Sequence, residues 1–98
     1  MKVDYKNADL ERMEADKAFT ARFEAAIVRS FRMRMQYIRN AKDERDLYAM
    51  KSFHFEKLKG DRQHQRSIRL NNKWRLILEI RDDHNGNITT IVDIEDYH

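Results

Sequence analysis

The 98-residue sequence contains no cysteine, no proline and only two glycines, Gly60 and Gly86. Without cysteine there is no disulfide scaffold, thiolate nucleophile or cysteine-ligated zinc or iron–sulfur centre. Two isolated glycines leave no room for a dinucleotide-binding fingerprint or a P-loop. No apolar run of about 18 residues occurs, so no membrane-spanning helix is expected. The opening segment Met1–Arg12 lacks the apolar stretch of a secretory signal, which makes the cytoplasm the expected compartment. The four histidines, His54, His64, His84 and His98, lack the spacing of a zinc site. No metal or other cofactor is called for. The length fits one domain, residues 1–98, around a single core.

What is present is charge. Charged residues make up 38% of the chain and the net charge is +3. The signs are segregated. Residues 17–42 and 51–81 each carry a net +6, whereas residues 1–16 and 43–50 each carry −2 and residues 82–98 carry −5. Two basic blocks beside an acidic tail suggest a polyanion-binding surface with carboxylates close by, although a basic face also serves simple solubility.

Hydrophobic periodicity divides the chain into a helical front and a stranded back. Val3 and Tyr5 alternate with charged residues, as in a short strand. Asn7 or Asp9 can cap a short helix containing Leu10 and Met13. Phe19, Phe23, Ile27, Phe31, Met35 and Ile38 form one apolar stripe of a helix over residues 17–40, with Arg34 at its edge. Asp43 suits the cap of a further helix over 44–50. Residues 65–70, 73–81 and 88–95 then alternate with period two. They are separated by Asn71-Asn72 and by the stretch 82–87, both turn signals. The expected fold class is α+β, with N-terminal helices packed on one face of a small antiparallel sheet that ends in a three-stranded meander. Phe23, Ile27, Phe31, Trp74, Leu76 and Val92 are the expected core. Strict alternation puts Ile88, Val92 and Ile94 on one face of the last strand, and Thr89, Ile91, Asp93, Glu95 and Tyr97 on the other.

The polar face of the meander carries the candidate chemistry. Arg69 and Arg75 come from adjoining strands. Lys57, Lys59 and Arg62 surround Gly60, and Asp96, Tyr97 and His98 end the chain. Guanidinium and ammonium groups hold phosphates, tyrosine offers a stacking surface for a base, and histidine or aspartate can move protons. These are the groups that RNA cleavage by an internal 2′-hydroxyl requires.

The ordered series Leu58-Lys59-Gly60-Asp61-Arg62, Ser67-Ile68-Arg69-Leu70-Asn71, Trp74-Arg75-Leu76 and the terminal Asp96-Tyr97-His98 resembles the HigB-type toxins of the RelE/ParE superfamily, from bacterial type II toxin–antitoxin systems. The likeness covers roughly residues 53–98 in detail and the front half only in layout. It implies a RelE-like microdomain fold and a metal-independent endoribonuclease that cuts mRNA in the ribosomal A site. It also implies a neutralising antitoxin, often a helix-turn-helix DNA-binding protein, through which operator DNA is bound indirectly. On this resemblance Lys59, Arg62, Arg75, Asp96, Tyr97 and His98 are the catalytic candidates. His54, Lys57, His64 and Arg69 are substrate-binding candidates. Where many relatives carry a histidine two residues before the motif's leucine, this chain has Glu56, which leaves His54 and His64 as candidates for that role. ParE-type members of the same superfamily poison DNA gyrase without cleaving RNA, and the basic blocks also fit a non-catalytic nucleic-acid-binding regulatory domain.

Overall fold

The computed structural model describes residues 1–83 and 86–96. Strand β1 (Lys2–Tyr5) leads into helix α1 (Ala8–Ala15), helix α2 (Ala25–Asn40) and helix α3 (Glu44–Ala49). Strand β2 (Glu56–Lys57), β3 (Arg66–Arg69), β4 (Trp74–Asp83) and β5 (Gly86–Asp96) follow. The order across the sheet is β1-β5-β4-β3-β2. The expected meander is the antiparallel series β3-β4-β5, and β2 extends it antiparallel beyond β3. At the other edge β1 pairs parallel with β5, so the sheet is mixed rather than purely antiparallel.

Local chemistry accounts for the helices. Asn7 caps α1, its side-chain oxygen accepting from the amides of Asp9 and Leu10. Asp43 caps α3 by accepting from the Arg45 amide. Both Asp43 oxygens also take Arg45 guanidinium hydrogens, which lowers the carboxyl to about 2. Helix α2 begins at Ala25, eight residues later than the apolar stripe suggests. The intervening segment turns through left-handed backbone at Ala21 and Arg22, with φ of 51° and 68°. Arg32 donates to the carbonyls of Met13, Asp16, Lys17 and Phe19, of which those of Lys17 and Phe19 would have been satisfied within a helix starting at residue 17.

The helices cover one face of the sheet. Leu10 and Met13 of α1, Ile27, Phe31, Met35 and Ile38 of α2, and Leu47 of α3 pack with Ile68, Leu76, Leu78 and Ile91 of the sheet. Three core expectations change. Phe23 and Trp74 are half-buried and meet edge to face, with ring centroids 5.7 Å apart. Val92 is also only half-buried. The reason for the third is a register shift: Ile77 pairs with Asp93 but Leu78 pairs with Ile91, so Val92 is the extra residue of a β-bulge. The bulge changes parity along β5. Thr89 and Ile91 therefore face the helices, while Ile88, opposite Arg81, does not.

The turns also differ from expectation. Neither Asn71 nor Asn72 has a positive φ. Instead the Asn71 side chain accepts from the amides of Lys73 and Trp74 at 2.8 Å and closes the turn itself. Strands β4 and β5 run into the expected 82–87 turn as far as Asp83 and Gly86, and His84 lies outside the described residues. Gly86 takes φ +115°, a conformation that favours glycine.

Candidate functional site

Cross-strand register builds the site. Arg69 of β3 lies opposite Arg75 of β4, and Arg75 lies opposite Glu95 of β5. Directly paired residues project to the same side of a sheet, so the three form a row on the face away from the helices. Asp96, exposed at the end of β5, pairs with Trp74 and so projects to the helix side, opposite to this row. Tyr97 and His98, expected to complete the site, lie outside the described residues.

The segment between β2 and β3 closes over this face. Gly60 has φ +69° and starts a 3-10 turn, Gly60–Arg62, directly after the exposed Lys59. Arg62 then grips Glu95 with two prongs, Nη1 and Nη2 donating to the two carboxylate oxygens at 3.0 Å each. Its Nε donates to Gln65 Oε1 at 2.8 Å, and Gln65 Nε2 donates to Glu79 Oε2 at 3.1 Å. The chain of bonds from Glu95 to Glu79 spans the row between them, which holds Ile77. That side chain is only 3% exposed although it faces away from the helical core. Burial pushes the Glu79 carboxyl up, but the bonds from Gln65 and Lys6 and the charges of Lys6 and His64 outweigh it, leaving the group below its ordinary value.

His54 reaches the row from the other side. It follows the 3-10 turn Lys51–Phe53 with φ 45°, and its Nε2 stands 3.3 Å from Arg69 Nη1. Arg69 also donates to the Asn71 carbonyl and to the Asn72 side-chain oxygen. Beneath it, Arg34 of α2 donates to the Arg69 carbonyl and lies over the Phe53 ring, and burial lowers its guanidinium from the ordinary range. The edge position expected for Arg34 thus fixes the backbone that carries Arg69.

The structure therefore brings together His54, Arg62, Arg69 and Arg75, with Lys59 on the adjoining turn. It does not bring in three others, of which Asp96 shares the side of Trp74. Lys57 pairs with Arg66, which pairs with Leu78, so Lys57 lies on the helix side of the sheet's edge. A two-residue strand offers no alternation from which its face could be read. His64 sits 3.7 Å from Glu79, and Glu79 lies four residues along β4 from Arg75, roughly 13 Å by strand rise. Two contributors carried no expected role, Glu95 and Gln65. Strand alternation places Glu95 on the Arg75 face, but its engagement by Arg62, 33 residues away in sequence, has no local signature. Among the described residues no cluster of three or more histidines and acidic residues is arranged to hold a metal.

Comparisons agree with this architecture. The fold is that of small bacterial toxins. A YoeB/ParE toxin from Agrobacterium tumefaciens superposes with a TM-score of 0.62 at 15% identity, over 100% of both chains. YafQ from E. coli strain BL21(DE3) gives 0.62 at 11% identity, over 97% of this chain and 91% of that one. A YoeB–YefM complex from Staphylococcus aureus gives 0.59 at 17% identity, over 100% and 97% respectively. A search of curated proteins finds no match to the sequence. The family model described as the RelE-like toxin of type II toxin-antitoxin system HigB matches residues 3–98, and the chain belongs to that family. Expected fold class and family therefore agree with what is found, apart from the parallel pairing of β1.

Proposed function

We propose that this toxin is a metal-independent endoribonuclease that cuts mRNA in the ribosomal A site and so stops translation. The observation that carries the reading is the cationic row Arg69–Arg75, roofed by the Lys59 turn and ending at Glu95, the residue before the terminal Asp96-Tyr97-His98 run. In the proposed reaction a ribose 2′-oxygen loses its proton and attacks the adjacent phosphorus. The bond from phosphorus to the 5′-oxygen breaks, and that oxygen takes up a proton. The products are a 2′,3′-cyclic phosphate and a 5′-hydroxyl end. Arg75 and Lys59 offset the charge that builds on the phosphorane, a task fixed side-chain charges perform without reorganisation. Arg69 and His54 hold the flanking phosphate and base. Asp96 and His98 are assigned the proton transfers, and Tyr97 the stacking of a base.

The proposed partners are the ribosome with mRNA in its A site and a cognate antitoxin with a helix-turn-helix fold, which links the complex to operator DNA. The compartment is the cytoplasm. The related YoeB fold occurs in complex with YefM, which supports an antitoxin partner. Among the described residues no helix is long and apolar enough to cross a membrane.

The test is induction of wild type and Tyr97→Ala in cells carrying one message in translated and untranslated copies, followed by mapping of RNA 5′ ends. New ends within codons, on the translated copy alone and absent with Tyr97→Ala, are expected. Growth arrest with intact mRNA and early loss of DNA supercoiling would instead identify a gyrase poison. Harmless expression would leave a nucleic-acid-binding regulator.

A further inference from the structure

We propose that Glu95 is a positioning residue of this site, and that Arg62 works through it as a strap rather than as a phosphate ligand. The inference rests on the nuclease reading and adds to it a residue with no assigned role. The starting point is the guanidinium of Arg62. A phosphate fork uses two parallel N–H groups along one edge of that plane. The Nη1–Nη2 edge is taken by the Glu95 carboxylate, and Nε is taken by Gln65. Both edges suited to a fork are thus engaged inside the protein.

What the strap holds follows from its ends. Glu95 is the residue before Asp96 and faces Arg75 across the sheet. Arg62 closes the 3-10 turn that starts one residue after Lys59. The fork therefore joins the turn presenting Lys59 to the end of β5 opposite Arg75, two parts of the proposed site that are far apart in sequence. Gln65 to Glu79 forms a second tie, and the buried Ile77 lies beneath the span. The Arg62 and Glu95 side chains are 42% and 37% exposed, so the fork forms in competition with water. The placement of Lys59 depends on where its turn is pinned. Loss of the fork should leave the helical core intact, because neither residue belongs to it.

The experiment compares wild type, Glu95→Gln, Arg62→Gln and the double variant. Amide hydrogen exchange is read over residues 59–65, and single-turnover cleavage is read on ribosomes programmed with a defined A-site codon. The strap predicts exchange about tenfold faster across the turn in Glu95→Gln, with the α2 amides unchanged. It predicts a cleavage rate constant at saturating toxin lower by about tenfold or more, while the half-saturating concentration moves less than about threefold. The double variant should be no slower than the poorer single one, since both substitutions break the same link. Unchanged exchange in Glu95→Gln would overturn the strap. Faster exchange with wild-type cleavage would overturn the positioning role. Additive losses, or a raised half-saturating concentration confined to Arg62→Gln, would show that Arg62 contacts RNA directly and would overturn the proposal. If the wild type itself cuts no ribosome-bound mRNA, the nuclease reading falls and the positioning role falls with it, while the exchange data still report the strap.

Discussion

Glu14 ties the three N-terminal elements together, and replacing it with glutamine tests the packing of the helical layer. Its Oε1 accepts the Tyr5 hydroxyl of β1 at 2.6 Å. Arg39 of α2 donates Nε to Oε2 at 2.7 Å and Nη2 to Oε1 at 2.8 Å. The bonds from Arg39 hold the Glu14 carboxyl below its ordinary value against the opposing effect of burial, with the Tyr5 bond adding to the lowering. Burial, and then the bond to Glu14, raise the Tyr5 hydroxyl beyond its ordinary range, so it remains a donor. Hydrogen bonds to a charged group contribute about 1.5–3 kcal/mol, whereas an exposed ion pair contributes about 0–1 kcal/mol. The Glu14 side chain is 19% exposed and that of Arg39 is 48%, which places the knot between these cases. The glutamine amide would keep the Tyr5 bond and lose one arm of the fork. The expected cost of Glu14→Gln is therefore about 1–2 kcal/mol, or about 5–12 °C in Tm for a domain of this size. The pH dependence has a definite sign. A carboxyl lowered on folding adds stability that is complete above its unfolded value of about 4.3 and is lost as pH falls through the folded value. Thermal unfolding followed by circular dichroism should show a constant gap between wild type and Glu14→Gln from pH 6 to 8, narrowing below about pH 4. A gap of the same size at pH 3 and pH 7 would refute the charge-based account of the knot.

Other outcomes follow from the same structure. Phe31→Ala removes a fully buried ring at the centre of α2 and should cost about 3–5 kcal/mol in denaturant unfolding. Asn7→Ala removes the two bonds that start α1 and should cost about 0.5–2 kcal/mol by the same measurement. Trp74→Ala should cost less than Phe31→Ala, because Trp74 is half-buried against Phe23; an equal or larger loss would contradict that placement. Arg75→Ala should leave the unfolding midpoint within a few degrees of wild type and reduce RNA cleavage by about 100-fold or more, as expected for a lost electrostatic stabiliser.

Local periodicity made much of the fold legible. Alternation over Trp74–Arg81 correctly separated Leu76 and Leu78 from Arg75 and Glu79, and so placed the cationic row. Asn7 and Asp43 announced helix starts because capping is a short-range interaction. Non-local features were not legible. The bulge at Val92 exists only in relation to Ile77 and Leu78 on the neighbouring strand, so strict alternation placed Ile91 on the wrong face. The loop before α2 carries Phe19 and Phe23 at helical spacing, yet left-handed backbone at Ala21 and Arg22 breaks the helix, with Arg32 of α2 supplying the missing donors. Parallel pairing of β1 with β5 joins residues more than 80 apart, which no local pattern encodes. In the candidate site, residue types and motif order pointed to Arg75 and Lys59. The fork from Arg62 to Glu95, the turning away of Lys57 and Asp96 and the distance of His64 are set by non-local contacts and register.

The most direct test of the central claim is single-turnover cleavage by purified toxin on ribosomes programmed with a defined A-site codon, compared with the same RNA free in solution. The account predicts a cut within the A-site codon that leaves a 2′,3′-cyclic phosphate, depends on the ribosome and is slowed about 100-fold or more by Arg75→Ala. Intact mRNA with a well-folded wild-type toxin, or cleavage at full rate by Arg75→Ala, would contradict it.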